Sequence, residues 1–450
     1  MKEIAPRIFK IFALSLPKGL DFGDHIPVSS WMSDNQIACG LIQYDECTST
    51  YSFFAMRRRE DDIWVIVETQ DGIDNHSDAK RLLDISFRAS DPKEIVPSGS
   101  KKRKALYDLE NREACSLFKY LATPFHLAAA WVLNQVYLAL PTPDPNFVSD
   151  FQTGNFHTRL WELYLLACFR EQGLEVLQDH VSPDFMIRRH QICAWIEAVT
   201  ANAETPYDHV HEGAPAFAPE DKMERQLGRA AFRYAKTLRS KLERDYQNME
   251  HVTGNPFAIA IADFHAPSSM VWSREALPCY LYGTAGKVIE RAGKKVPIEV
   301  AVDTLMVDGD VPAGIFRDPA FAHLSAIIHS NAGTIAKFNR MGFLAGYQKP
   351  GLKLIRKGVF FDRVPGAVEP IDFEFDISGE EYSSLWPDGE NWSLELEVYH
   401  NPNAEFPLPF ELLPLATHWF EKDKEIICQS PYEFSILAST TLLLEEDEKS

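Results

Sequence analysis

Between Thr153 and His265 the chain changes its apolar rhythm in an ordered series, and that order constrains the fold more than any other feature of the sequence. "HTRLWELYLLACFREQG" has a helical period, with Asn155 as a cap before it and Gly173 as its stop. "LEVLQD", "DFMIRR" and "ICAWIEAV" are short runs that read as three strands. A polar-apolar stretch from about Pro219 to Glu250 reads as one long helix, and "PFAIAIADF" as a buried strand. The series is α-β-β-β-α-β, an α/β arrangement.

The remainder surrounds this segment. A chain of 450 residues exceeds what one hydrophobic core usually serves. Residues 1–95 form a β-rich N-terminal domain: "IACGLIQY", "YSFFAMRR" and "DIWVIVET", separated by polar turns, predict an antiparallel meander. Residues 96–150 read as a helical connector. Its "FHLAAAWVLNQVYLAL" is too short to span a bilayer and predicts a buried helix, and "LPTPDPNF" marks its end. The α/β core is assigned to 151–350, where "HLSAIIHS" adds a buried strand and "GTIAKFNRMG" a turn or short helix. Residues 351–450 read as a C-terminal β-containing accessory region with a disordered acidic tail.

Charge narrows the partners. With 45 Lys and Arg against 65 Asp and Glu, the net charge of −20 repels polyanions at long range. Contact with nucleic acid therefore requires a locally basic surface. The run Lys101 to Lys104 offers four cations, although a solvated loop is the simpler reading. Seven cysteines without metal or disulfide spacing, and no secretory signal, predict reduced thiols in a cytoplasmic protein with no membrane partner.

Two acids stand out among the strands. Asp184 follows Pro183 at the start of one strand and Glu197 ends the next, so a hairpin through "RRHQ" can bring both carboxylates to one end. Glu162 lies in a helix apolar on almost every side, where an ionised carboxylate is costly unless paired or metal-bound. Singly, a Pro-Asp pair is usually a turn and a strand-end glutamate usually faces solvent. Together they suit Mg²⁺, which takes hard oxygen ligands and leaves positions for water and phosphate.

This stretch resembles the PD-(D/E)XK, or restriction-endonuclease-like, nuclease superfamily over roughly residues 153–265. The resemblance implies an αβββαβ core with a mixed sheet flanked by helices, beside an α+β C-terminal region. It implies that Asp184 and Glu197 hold Mg²⁺ or Mn²⁺, with Glu162 close by as a ligand or as a base just outside the metal's own ligands. The implied activity is a metal-dependent phosphodiesterase, a DNA endonuclease of restriction or anti-phage type, with a homodimer or partner protein served by the flanking regions.

One position departs from the pattern: Val199 stands where the family carries lysine. Related members supply the amine from the following helix, which makes Lys236 and Lys241 the candidates. Arg225, Arg229, Arg233 and Lys236 would line one face of that helix, either as phosphate contacts or as a solvated face balancing nearby acids. Val199 and the acidic total favour a rival reading, a catalytically inactive nuclease-fold interaction or scaffold protein.

Other signals are weak. "GTAGKV" lacks the full phosphate-loop spacing, and the "DGD" at Asp308 to Asp310 reads as a turn. His180 reads as a surface residue near the Asp184 strand. His329 and Asn331 read first as structural hydrogen-bonders at a strand end.

Overall fold

The computed structural model describes residues 1–89, 96–99, 102–205, 207, 218–307, 311–364, 367–386 and 389–445. Lys101, the Asp308 to Asp310 turn and residues 446–450 of the acidic tail lie outside them.

The expected meander is present. Strands β1 (Lys2–Ile4), β2 (His25–Met32), β3 (Ala38–Asp45), β4 (Thr50–Arg58) and β5 (Trp64–Ile73) form an antiparallel sheet in chain order. Its two faces bury different side chains. Helix α1 (Pro6–Ala13) covers Met32, Leu41 and Met56 with Phe9 and Phe12. Helix α2 (His76–Ala89) covers Ile42 and Phe53 with Leu83 and Phe87. The connector holds α3 (Ser116–Leu121), α4 (Leu127–Ala139) and α5 (Phe147–Thr153), and α4 is the buried apolar helix expected there.

The α-β-β-β-α-β series follows. It runs α6 (Phe156–Glu171), β6 (Glu175–Leu177), β7 (Phe185–Arg189), β8 (Ile192–Asn202), α7 (Lys222–Leu227), α8 (Arg229–Leu242) and β9 (Phe257–Phe264). Gly173 ends the α6 segment at φ +76°, a conformation that costs glycine little. Asn155 occupies the cap position, but its side chain makes no capping bond. The single long helix expected from Pro219 to Glu250 is instead two. It breaks at Gly228, where a Cβ would lie 2.1 Å from the Glu224 carboxylate.

Beyond β9 come α9 (Ala276–Tyr282), the β10 (Thr284–Arg291) and β11 (Lys294–Ala301) hairpin, β12 (Ala326–His329) and α10 (Ile335–Leu344). They are followed by β13 (Leu352–Asp362), β14 (Ile371–Asp376), α11 (Glu380–Leu385), β15 (Glu397–His400), β16 (Thr417–Lys422), β17 (Glu425–Gln429) and β18 (Phe434–Glu445). "GTAGKV" thus begins a hairpin, and "GTIAKFNRMG" forms a helix.

The central sheet has eight strands in the order β17-β16-β15-β12-β9-β8-β7-β6. It is mixed: β8, β9 and β12 run parallel, as do β15 and β16, while the remaining pairings are antiparallel. Strands β15 to β17 come from the region that the sequence set apart as accessory. Of these, β15 pairs onto β12, which would otherwise be an open edge. The rest of that region forms a separate antiparallel sheet, β14-β13-β18.

Strand β9 shows how the sheet is enclosed. Its residues alternate in size: Ala258, Ala260 and Ala262 face α6, whereas Phe257, Ile259 and Ile261 face α8 and α9. The small side let α6 approach closely, and Trp161 donates its indole N–H to Ala260 O at 3.0 Å. A buried ion cluster ties α10 and β13 to the segment that precedes β15. Lys337 and Arg340 of α10 lie 2.7 and 2.9 Å from Glu390, and Arg356 of β13 contacts Glu395.

Candidate active site

The β7-β8 hairpin positions both acids. Phe185, the first residue of β7, pairs with Ile196, so Asp184 stands just before the strand, near Glu197. Strand β8 continues to Asn202, so Glu197 lies within the strand and not at its end. Asp184 Oδ2 accepts the Ala198 N–H at 2.7 Å, which fixes its carboxylate against β8.

Alternation along β8 places Trp195, Glu197, Val199 and Ala201 on the face covered by α8. Trp195, Val199 and Ala201 pack there with Ala231, Tyr234, Leu238 and Leu242. Glu197 is only 4% exposed and meets a cation of α8. Lys241 Nζ donates to Glu197 Oε1 at 2.7 Å, and Ser182 Oγ donates to Oε2 at 3.3 Å. Burial, together with the Glu197 charge, raises the Tyr246 phenol above its usual range.

Glu162 reaches the cluster from α6 and is also 4% exposed. Arg159, one helical turn earlier, lies 2.9 Å from it. That guanidinium also lies 2.6 Å from Asp150 and 3.6 Å from Asp144. Shared among three carboxylates, Arg159 leaves Glu162 undercompensated. Burial and the Asp184 charge push the Glu162 carboxyl up to about 8. Burial and the Glu197 charge push Asp184 up to about 7, against the opposing pull of Lys241 and Arg159.

The three acids therefore sense one another in series, from Glu162 to Asp184 to Glu197. Among the described residues, no group of three or more His, Cys, Asp or Glu side chains gathers closely enough to hold a metal alone. Asp184 and Glu197 present oxygen donors from neighbouring elements, with Glu197 already paired to Lys241, and carboxylates of this kind suit Mg²⁺ or Mn²⁺ when substrate oxygens and water complete the shell.

The other candidate residues fall elsewhere. Lys236 is exposed and lies 3.3 Å from Glu204, away from the acids. Arg233 is buried against the end of β8, 2.9 Å from Glu204. Arg225 donates to the Pro219 and Glu220 carbonyls. Arg229 is exposed, and the break at Gly228 separates it from Arg225. These side chains do not form one free row of cations.

His180 is exposed, as expected, and its ring stacks on His251 at 3.8 Å; His251 in turn bonds Ser182 O at 2.9 Å. This clamp holds the loop that carries Asp184, where the Ser182-Pro183 peptide is cis. His329 bonds the Tyr234 hydroxyl at 3.2 Å, and Asn331 donates to Leu437 O. Sequence reading missed Arg159 and His251. The three-residue spacing from Arg159 to Glu162 was a usable signal; His251 had none.

Neither a family model, nor a curated protein, nor a solved structure matches this chain.

Proposed function

We propose that the chain is a metal-dependent phosphodiesterase, a DNA endonuclease built on a restriction-endonuclease-like core. One observation carries the reading: Asp184 stands just before β7 and accepts the Ala198 N–H of β8, next in sequence to Glu197, and Lys241 brings an ammonium to Glu197 from α8. The α-β-β-β-α-β order with its mixed sheet supports it.

In this reading Asp184 and Glu197 hold Mg²⁺ or Mn²⁺, with Glu162 behind Asp184. The bound ion would lower the pKa of a coordinated water and offset charge on the phosphate oxygens. Asp184 is oriented for this by the Ala198 N–H, which occupies Oδ2. Lys241 serves the purpose of the lysine that Val199 replaces. Its ammonium can donate to the attacking water and place positive charge beside the scissile phosphate. Arg159 holds Glu162 in place and keeps the inner acids from repelling one another outright.

Plasmid cleavage in Mg²⁺ or Mn²⁺ tests the reading with the intact protein, Asp184→Asn and Glu197→Gln. The intact protein should cut, and each variant should lose on the order of a hundredfold or more. Equal cutting by all three sinks the proposal. No cutting by any favours the second reading, an inactive nuclease-fold interaction protein. The closed Lys241-Glu197 ion pair and the apolar Val199 contacts are the observations on its side.

A further inference from the structure

A cavity of about 570 Å³ opens where the N-terminal sheet, the connector and the start of the central unit meet. That is large enough for a nucleotide-sized ligand. The basic run singled out in sequence forms part of its wall: Lys102, Arg103 and Lys104 line it with Arg59 and Arg170.

Most of these cations lack a carboxylate partner. Arg59 is engaged by Asp61 at 2.6 Å. Arg103 instead donates to the Leu140 carbonyl at 2.6 Å, and Arg170 to the Leu174 and Val176 carbonyls at 3.3 and 3.4 Å. Arg170 is 4% exposed, and its Nε has no hydrogen-bond partner. Lys102 and Lys104 are exposed and form no ion pair among the described residues, although Lys102 lies in the field of Glu60. Of the two acids in the wall, Glu175 is already bound by Arg188 at 2.6 Å.

Four cations without an ion-pair contact among the described residues line one cavity, and in a chain of net charge −20 they concentrate positive potential at a single place, tempered by the nearby Glu60, Asp61 and Glu175. The second acid links that place to the candidate centre. Asp144 lines the cavity and lies 3.6 Å from Arg159, which is itself 2.9 Å from Glu162. Asp144 stands between Pro143 and Pro145, whose fixed φ angles stiffen this wall.

We propose that this cavity binds a phosphate group of the nucleotide substrate beside the cleavage site, with Lys102 and Lys104 at its mouth and Arg103 and Arg170 deeper in. The proposal rests on the nuclease reading for its choice of ligand, but its test requires no cleavage.

Binding is measured by fluorescence anisotropy in EDTA, with a short 5′-phosphorylated DNA duplex and with a fluorescent nucleoside triphosphate. The intact protein is compared with Lys102→Ala/Lys104→Ala and with a charge-matched control in the exposed β16-β17 turn, Lys422→Ala/Lys424→Ala. The cavity variant should bind DNA roughly tenfold more weakly at ~0.1 M salt, with a salt slope lower by about two, while the control binds like the parent. Loss with DNA assigns the phosphate to a strand. Loss confined to the triphosphate assigns it to a free nucleotide and also supports the site. Equal weakening by both double variants, unchanged binding by the cavity variant, or a parent that binds neither probe overturns it. Binding that behaves as expected in a protein that never cuts would leave the cavity standing and remove the nuclease reading.

Discussion

Lys241 of α8 donates to Glu197 Oε1 of β8 at 2.7 Å, so an ammonium reaches this carboxylate from the neighbouring helix and not from its own strand. Lys241→Met should therefore abolish metal-dependent cleavage, whereas Lys236→Ala should leave it within about twofold, because exposed Lys236 is held by Glu204. Single-turnover cleavage of a labelled duplex separates the two. Equal losses would mean that neither amine has the assigned role.

Val199→Lys tests the same geometry from the strand. Val199 is 3% exposed among apolar side chains, so the single substitution should destabilise the fold by roughly 2 kcal/mol or more, measured by urea unfolding. Added to Lys241→Met, it should restore part of the lost cleavage, since positions 197 and 199 share a face of β8. A double variant no more active than Lys241→Met would show that an amine from β8 cannot serve this centre.

The metal-free protein should lose stability as pH rises through neutrality. Glu162 and Asp184 are raised from 4.5 to about 8 and from 3.8 to about 7, so the folded state binds more protons than the unfolded state across that interval. Their contribution is fully present below about pH 4 and is lost as pH climbs to about 8. Tm in EDTA should fall between pH 6 and pH 8, and Asp184→Asn should flatten the fall. Mg²⁺ or Mn²⁺ should raise Tm more at pH 8 than at pH 6, because protons compete for the same oxygens. A Tm independent of both pH and metal would contradict this electrostatic account.

The buried cluster of α10, β13 and the segment before β15 should titrate in the opposite sense. Arg340, Lys337 and Arg356 hold Glu390 well below the usual carboxylate range against the cost of burial. Its stabilising contribution is present above the unfolded value of 4.5 and lost as pH falls through the depressed folded value. Glu390→Gln leaves three buried cations facing Glu395 alone, and should cost about 3–5 kcal/mol by urea unfolding at neutral pH. A change below 1 kcal/mol would show that the cluster relaxes into solvent.

Much of the central fold was legible because each strand and helix from Thr153 to Phe264 carries its own period. The size alternation of β9 and the apolar girth of α6 announce burial on both sides of a sheet. The break at Gly228 was not legible, since it reflects the approach of one side chain, Glu224, to a backbone position. The recruitment of β15 to β17 was hidden for a related reason: pairing onto β12 joins segments about seventy residues apart, and no local pattern encodes that partner.

The candidate site divides in the same way. Sequence alone placed Glu162 in a helix, Asp184 at the start of one strand and Glu197 in the next, because hydrophobic period and turn chemistry are local properties. Tertiary structure decided that Lys241, rather than Lys236, meets Glu197. It decided that Arg159 is shared among three acids, and that Arg233 turns inward instead of joining a basic row. Helix rotation against a sheet is set by which apolar stripe packs, here Tyr234, Leu238 and Leu242, and that packing fixes where each flanking cation points.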